Sequence, residues 1–409
     1  MIDLKQALRI LGIRMGDRAF VGPQTVQIDL TDECNNNCVG CWARSPFLRE
    51  EDNYDGLSKG TLDTAWVLNL IPDLKELGVE HIFLGGGGEP FCHMDIMRII
   101  ESFKVAKFQV TVNTNFTLLD EQRTRWLFDL RPDNLIVSLW AGTGETYSKL
   151  HPNKTSKTFE RITENLLLLR RLKKENQIPT PRIKIYNVIN RSNYSELAQM
   201  IRYGREVGVD LVEFAVFDPI PQRTDVFLLN PEQILFCQKF FENFVDNSPP
   251  EVHYRLFLRR LGHPDAVRGA YDNGIYLNTP CTAGWTYARI TTVGEVHSCL
   301  KSHRIPVGNI CKSSFRDIWF SEAQNEFRKN TIKIDVDNPY LKNIGHDIQF
   351  PLPGCFRICD NLGENLATND FLHGLNDLEL TMLSEMERKA GEGAGIPELE
   401  LLYKRYSMQ

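Results

Sequence analysis

The stretch VQIDLTDECNNNCVGCW (residues 26–42) places three cysteines, Cys34, Cys38 and Cys41, within eight residues, directly after a short β-rich run. A loop with these spacings can supply three thiolates to one metal centre. Three thiolates on a four-iron cluster leave one iron open to a small molecule. A structural zinc site needs a fourth ligand nearby, and the next histidine along the chain is His81, beyond an intervening helical pattern. The loop therefore fits a three-thiolate cluster better than zinc. Its position after a first strand is also apt, because sites in α/β proteins form outside the C-terminal strand ends.

Working outward, β-rich runs recur at VQIDL (26–30), HIFLG (81–85), FQVTVN (108–113), NLIVSLW (134–140), RIKIYNVI (182–189) and LVEFAVF (211–217), with helical patterns between them. One such helix carries the stripe Phe159, Ile162, Leu166 and Leu169, with steps of three and four. Six βα units in succession argue for a parallel α/β sheet. Gln27, Asp29, Asn113, Ser138, Asn187 and Glu213 alternate with apolar neighbours. A parallel sheet packed on both faces would be apolar on both, so a half-open barrel with a wet lumen is expected. Residues 1–23 read as an N-terminal segment, 24–220 as the barrel, 221–277 as a helical connector, 278–365 as a second cysteine-bearing domain and 366–409 as a helical tail broken by GEGAG (391–395). In the connector, LNPEQILFCQKFFENFVDN and EVHYRLFLRRL read as two helices.

The 409 residues are 42% hydrophobic with a net charge of −6, a poor match to a nucleic-acid binder. The N-terminus lacks the apolar core of a signal peptide, and no run approaches the ~20 apolar residues of a membrane span. A cytoplasmic protein without membrane or nucleic-acid partners is expected. In a reducing compartment ten cysteines read as metal or catalytic thiols before disulfides.

As a set, these motifs resemble the radical S-adenosylmethionine (radical SAM) superfamily. The resemblance runs through CxxxCxxC at Cys34, Cys38 and Cys41, GGGGEP (85–90), VTVNTN (110–115), VSLWAGTGETYSKLHP (137–152) and YNVINRSNY (186–194), in that order. It implies a (β/α)6 partial TIM barrel. It implies a [4Fe-4S] cluster whose open iron chelates S-adenosylmethionine, a flavodoxin- or ferredoxin-type electron donor, and a 5′-deoxyadenosyl radical that abstracts a substrate hydrogen. Gly86, Gly87 and Gly88 would let backbone approach the methionine moiety, and Glu89 would accept from its amino group. Asn113, Asn115 and Ser138 stand where ribose and carboxylate contacts fall, although strand-end capping explains them equally well. Two positions depart from the family pattern. Gly40 replaces the usual aromatic before the third cysteine, leaving Trp42 to stack or to pack, and His151 stands where relatives carry arginine.

The segment from Cys281 through Gly294 to Cys299, followed by GNI (308–310) and CFRIC (355–359), resembles the SPASM and twitch extensions that carry auxiliary [4Fe-4S] clusters. Cys281, Cys299, Cys355 and Cys359 suffice for one cluster, the twitch arrangement, and equally for zinc. Cys311 is a spare, and Cys237 reads as packing. An auxiliary cluster that takes an electron makes the reaction an oxidation, whereas a thiol that returns a hydrogen atom makes it an epimerisation. Cys92 is the candidate thiol, set against the alternative of a small buried residue. Trp140, Asn187, Asn190, Glu213 and Asp218, all at expected strand ends, are the candidate substrate contacts. Only 33 residues precede Cys34, too few for a peptide-recognition domain of ordinary size. A full-size auxiliary region over a polar lumen suits a hydroxylated small molecule, so a sugar or cyclitol is the expected substrate, with a peptide maturase as the alternative and a zinc-stabilised binding protein as the reading from another class.

Overall fold

A computed structural model describes residues 1–49, 60–244, 248–335, 337–345 and 354–408. Its described strands form one sheet. They are β1 (Thr25–Ile28), β2 (His81–Leu84), β3 (Gln109–Thr114), β4 (Asn134–Ser138), β5 (Arg182–Ile189), β6 (Leu211–Val216), β7 (Glu251–His253), β8 (Tyr287–Ile290), β9 (Glu295–His297) and β10 (Gly308–Asn309). The spatial order is β10-β9-β8-β1-β2-β3-β4-β5-β6-β7. β1 to β6 are the six expected parallel strands.

Alternation along each strand builds two faces. Val26, Ile28, Ile82, Leu84, Val110, Val112, Leu135, Val137, Ile183 and Ile185 are buried under the helices. Each such side chain contributes about 1.5–3 kcal/mol of burial. The helix Ser156–Asn176 adds the expected stripe of Phe159, Ile162, Leu166 and Leu169. The other face carries Asn113, Ser138, Tyr186 and Glu213, all half-buried, which is the polar lumen read from the sequence. Asn187 does not belong to it. Its neighbour Tyr186 is the residue paired with Glu213 and Ser138, so Asn187 points to the helix side, fully buried. A shift of one residue along a strand exchanges the two faces.

Two further corrections concern the sheet edges. EVHYRLFLRRL is not one helix: Glu251–His253 forms β7, parallel to β6, and only Arg255–Leu261 is helical. The preceding Pro249-Pro250 pair favours extended backbone, and β6 offers a free edge. At the opposite side β8 pairs in parallel with β1. The second cysteine-bearing region thus continues the barrel sheet and covers an edge that would otherwise invite association. The expected hairpin is present as β8–β9, turning at Gly294 with φ +80°.

The two chain ends form a second small core. The helix Leu4–Met15 packs Leu8 and Leu11 against Met382, Leu383, Met386 and Leu399 of the helices Asp377–Gly391 and Ile396–Ser407. Tyr403 donates to the Ile2 carbonyl at 2.9 Å, and Ile2 N–H donates to Glu379 at 2.8 Å. Among the described residues no helix is long and apolar enough to cross a membrane.

Candidate active site between two cysteine sets

The first set lies on the loop after β1. Cys41 N–H donates to the Cys38 carbonyl at 3.0 Å, closing a tight turn. Amide side chains from elsewhere fasten the Asn-rich part. Asn115 Nδ2 donates to Asn35 Oδ1 at 3.0 Å and sits 3.9 Å from Cys34 Sγ. Asn35 Nδ2 donates to Thr117 at 2.7 Å. Asn153 N–H donates to Asn37 Oδ1, and Asn153 Nδ2 to the Asn35 carbonyl, both at 2.9 Å. The LHPN segment (150–153) is thus a brace for the loop. His151 is buried, stacked on Tyr147 with centroids 4.3 Å apart, and burial holds its pKa down at about 4. It is a neutral packing group, not a replacement for the family's arginine.

GGGGEP owes much to the chain's own packing. A Cβ on Gly86, which has φ +104°, would lie 1.7 Å from Asp29 Oδ1; one on Gly88 would lie 2.1 Å from the Glu33 carbonyl. Asp29 is held there by Arg289 Nε of β8 at 2.7 Å, so the second domain helps to set this turn. Glu89 accepts from Thr114 Oγ1 (2.6 Å), Asn115 N–H (2.7 Å) and Phe91 N–H (3.2 Å). Burial outweighs these donors and raises its pKa to about 7. Its three acceptances tie the turn to the end of β3. Gly87 sits in the same turn, and Asn113 and Ser138 are half-buried on the inner face.

The second set is assembled from distant segments. Cys281, Cys299, Cys355 and Cys359 lie in one another's electrostatic field, and burial raises all four thiols, Cys299 to about 12. The chemistry of a buried four-sulfur donor set fits an iron–sulfur cluster. Asn365 Oδ1 accepts from Thr282 N–H at 2.9 Å, and its Nδ2 lies 3.9 Å from Cys359 Sγ. Arg260 and Asp272 form a buried pair (3.1 and 2.7 Å). Between them they bond the Cys359 carbonyl at 2.7 Å and its N–H at 2.8 Å. The connector therefore grips this set. Cys311 stands apart, exposed beside the Gly294 turn. Cys237 is buried packing.

Between the sets lies a cavity of about 250 Å³. Gly40 and Trp42 from the first loop, Lys301 and Asp360 from the second region, and Trp140, Tyr186 and Asp218 line it. Lys301 is buried, 2.7 Å from Asp218 and 3.7 Å from Asp360; Arg357 reaches Asp218 at 3.1 Å. Lys301 and Arg357 stand 5.6 and 5.8 Å from the Trp42 ring centre, within cation–π range. The Gly40 departure has a physical cause: a Cβ there would lie 2.4 Å from the Phe217 ring, which fills that space. Trp140 has φ +63°, and its carbonyl accepts from Asn193 Nδ2 at 2.8 Å. A bulky residue held in this region marks a constrained site.

Of the sequence candidates, Trp42, Trp140 and Asp218 thus face this cavity. Asn190 does not: fully buried, it caps its own turn, with Oδ1 accepting from Ser192 N–H at 2.9 Å. Glu213 is tied to Lys184 at 2.6 Å and lines a wider opening, about 1350 Å³, whose lining shares no residue with this cavity. Cys92 lies in the field of Glu89 and Cys34, its thiol raised to about 11 chiefly by burial, and is not among the cavity's lining residues. Lys301, Arg357, Asp360, Arg260 and Asp272 were missed. The available signal was a charged residue within two positions of each of Cys299, Cys355 and Cys359.

Residues 28–211 match the radical SAM superfamily and residues 281–340 the SPASM iron–sulfur cluster-binding domain. The chain carries a radical SAM domain followed by a SPASM domain. These domains imply [4Fe-4S] clusters, and S-adenosylmethionine is bound in a solved radical SAM neighbour, SuiB of Streptococcus suis. The radical SAM chain is 25% identical to the AdoMet-dependent heme synthase of Methanosarcina barkeri over 75% of its own length and 84% of the relative's. It is 24% identical to the PqqA peptide cyclase of Methylocella silvestris, over 76% and 77%. SuiB bound to its precursor peptide SuiA shares the fold at a TM-score of 0.58 and 14% identity, over 86% and 79% of the two chains. The two domains support the enzyme reading over the alternative of a zinc-stabilised binding protein.

Proposed function

We propose that this radical SAM enzyme oxidises a hydroxylated small molecule held between its two cysteine sets. One observation carries the reading: a single cavity is lined both by neighbours of Cys41 and by neighbours of Cys299 and Cys359. Cys34, Cys38 and Cys41 would hold the cluster that binds S-adenosylmethionine, and Cys281, Cys299, Cys355 and Cys359 an auxiliary one, so that the site combines a hydrogen-abstracting carbon radical with an electron acceptor. A carbinol that loses a hydrogen atom from carbon, then an electron and its hydroxyl proton, becomes a carbonyl. The proton needs a base. Asp218 is committed to Lys301 and Arg357. Asp360 accepts no hydrogen bond among the described residues and meets Lys301 only at 3.7 Å. Burial raises the proton affinity of its carboxyl while Lys301 favours the charged form, and as a carboxylate it is the acceptor we assign. Trp42, Trp140 and Tyr186 wall the cavity and limit water at the reacting carbon. At about 250 Å³, below the usual span of ligand pockets, the cavity admits one ring or one side chain.

A second reading makes the substrate a peptide side chain, favoured by the resemblance to the PqqA peptide cyclase. The first test replaces Cys34, Cys38 and Cys41 together with alanine, reconstitutes the protein without oxygen and counts iron and sulfide. About four of each per chain, with S-adenosylmethionine cleavage abolished, is expected. Near-zero iron would remove the electron acceptor and with it the oxidative reading. Deuterium transfer into 5′-deoxyadenosine from carbon-deuterated polyols, rather than from deuterated peptides, then separates the two substrates.

A further inference from the structure

We propose that Arg289 and Thr292, both from the second cysteine-bearing region, are positioning residues for S-adenosylmethionine: they hold the two walls against which the GGGGEP turn is packed. The inference rests on the reading that this turn receives the methionine moiety. Chain lies so close to the turn that no side chain fits at Gly86 or Gly88. A Cβ on Gly86 would lie 1.7 Å from Asp29 Oδ1, and one on Gly88 would lie 2.6 Å from the Asp32 carbonyl carbon. Packing this close transmits displacement, so the places of residues 29 and 32 set the place of the turn.

Both walls are gripped from outside the six barrel strands. Asp29 is 1% exposed, and a carboxylate buried this far needs a counter-charge. Arg289 supplies it, with Nε donating to Asp29 Oδ2 at 2.7 Å and Nη2 at 2.5 Å from the same oxygen. Gln27 Nε2 donates to Asp29 Oδ1 at 2.8 Å, and Gln27 is itself oriented by the Tyr287 hydroxyl of β8 at 2.6 Å. The Asp29 N–H donates to the Ile290 carbonyl at 2.9 Å. At the other wall, Thr292 Oγ1 donates to Asp32 Oδ2 at 2.6 Å, and Gly60 N–H reaches the same oxygen at 3.2 Å. Arg289 and Thr292 lie within and just after β8, in the segment between Cys281 and Cys299. One short stretch of the second region therefore reaches both walls. The affinity of the turn for its ligand is then linked to the seating of that stretch.

The test measures the dissociation constant of S-adenosylmethionine for anaerobically reconstituted holoenzyme by equilibrium dialysis, with the clusters oxidised so that no cleavage occurs. Alongside it, KM and kcat for reductive cleavage are measured with dithionite. Arg289→Gln strands the buried Asp29 carboxylate, and its dissociation constant is expected to rise about tenfold or more, with KM rising in step and kcat within about twofold of wild type. Its iron content stays at the wild-type value. Arg289→Lys keeps the charge but not the planar fork. It is expected to fall between, and it keeps the comparison measurable if the amide variant folds poorly. Asp29→Asn/Arg289→Gln removes both charges together, and an amide at position 29 still fills the space against Gly86. Its affinity should return to within about threefold of wild type. Thr292→Val should weaken binding less than Arg289→Gln, because it loses a hydrogen bond and no counter-charge. Wild-type affinity in Arg289→Gln, or a fall in kcat and iron with the dissociation constant unmoved, overturns the proposal. Wild-type affinity in Glu89→Ala would instead overturn the reading that the turn holds the ligand.

Discussion

The two cysteine sets are held by opposite means. Three thiols of the first fall within eight residues of one loop, and amide side chains fasten the asparagines between them through neutral hydrogen bonds. The four of the second are spread from 281 to 359, and buried charge pairs fix them. Closing a long segment costs more chain entropy than shaping a short loop. The difference teaches where each site is fragile. The first is set mostly by its own sequence, the second by groups far away in the chain.

The largest expected effect comes from breaking the distant grip. Asp272→Ala leaves Arg260 buried and uncompensated and removes the acceptor of Cys359 N–H. Losing one partner of a buried pair costs about 3–5 kcal/mol. Chemical denaturation under argon should show that loss, and iron should fall from about eight to about four per chain while S-adenosylmethionine cleavage survives. Asn153→Ala, the matching change at the first set, removes neutral bonds worth about 0.5–1.5 kcal/mol each, and its iron content should stay at wild type. Equal iron loss in both variants would erase the contrast.

A smaller effect is a pH dependence in the first region. Glu89 is held near 7 by burial, against about 4.3 in an unfolded chain. A raised carboxyl favours the folded state below the unfolded value, and that contribution is lost as pH rises through 7. Melting temperature should therefore fall between pH 5.5 and 8 in the wild type. Glu89→Gln starts lower, because an amide has one acceptor oxygen where the carboxylate has two, but its profile should be flatter. Parallel profiles would assign the pH effect elsewhere.

The contrast also explains what could be read in the sequence. β1 to β6 show as short β-rich runs because each pairs with strands on both sides and must present apolar residues to the helices. β7 does not show: three residues ahead of a helix leave no alternation to detect, and pairing with β6 makes them extended. Asn187 shows that polarity alone does not mark the lumen face, which its neighbour Tyr186 occupies. The Lys301–Asp218 contact joins residues 83 positions apart, a separation for which one sequence carries no pattern.

The smallest expected effect sharpens the boundary of the second set. Cys311 is as close in sequence to Cys299 as an additional ligand could be asked to be, yet it is exposed, across the hairpin turn from Gly294. A cluster ligand there would have to leave the Asn309 side chain, whose Oδ1 accepts from Cys311 N–H at 2.8 Å, and draw β10 away from β9. The four remaining thiols already lie in one another's field, so cluster assembly gives no cause for that movement. Cys311→Ser should leave iron, sulfide and melting temperature at wild-type values, because an exposed substitution of this kind stays within about 0.5 kcal/mol. In the same preparation Cys359→Ser should lose the second cluster. A loss of iron in Cys311→Ser equal to that in Cys359→Ser would mean the set extends across the hairpin, and the division between buried ligands and surface thiol would fail.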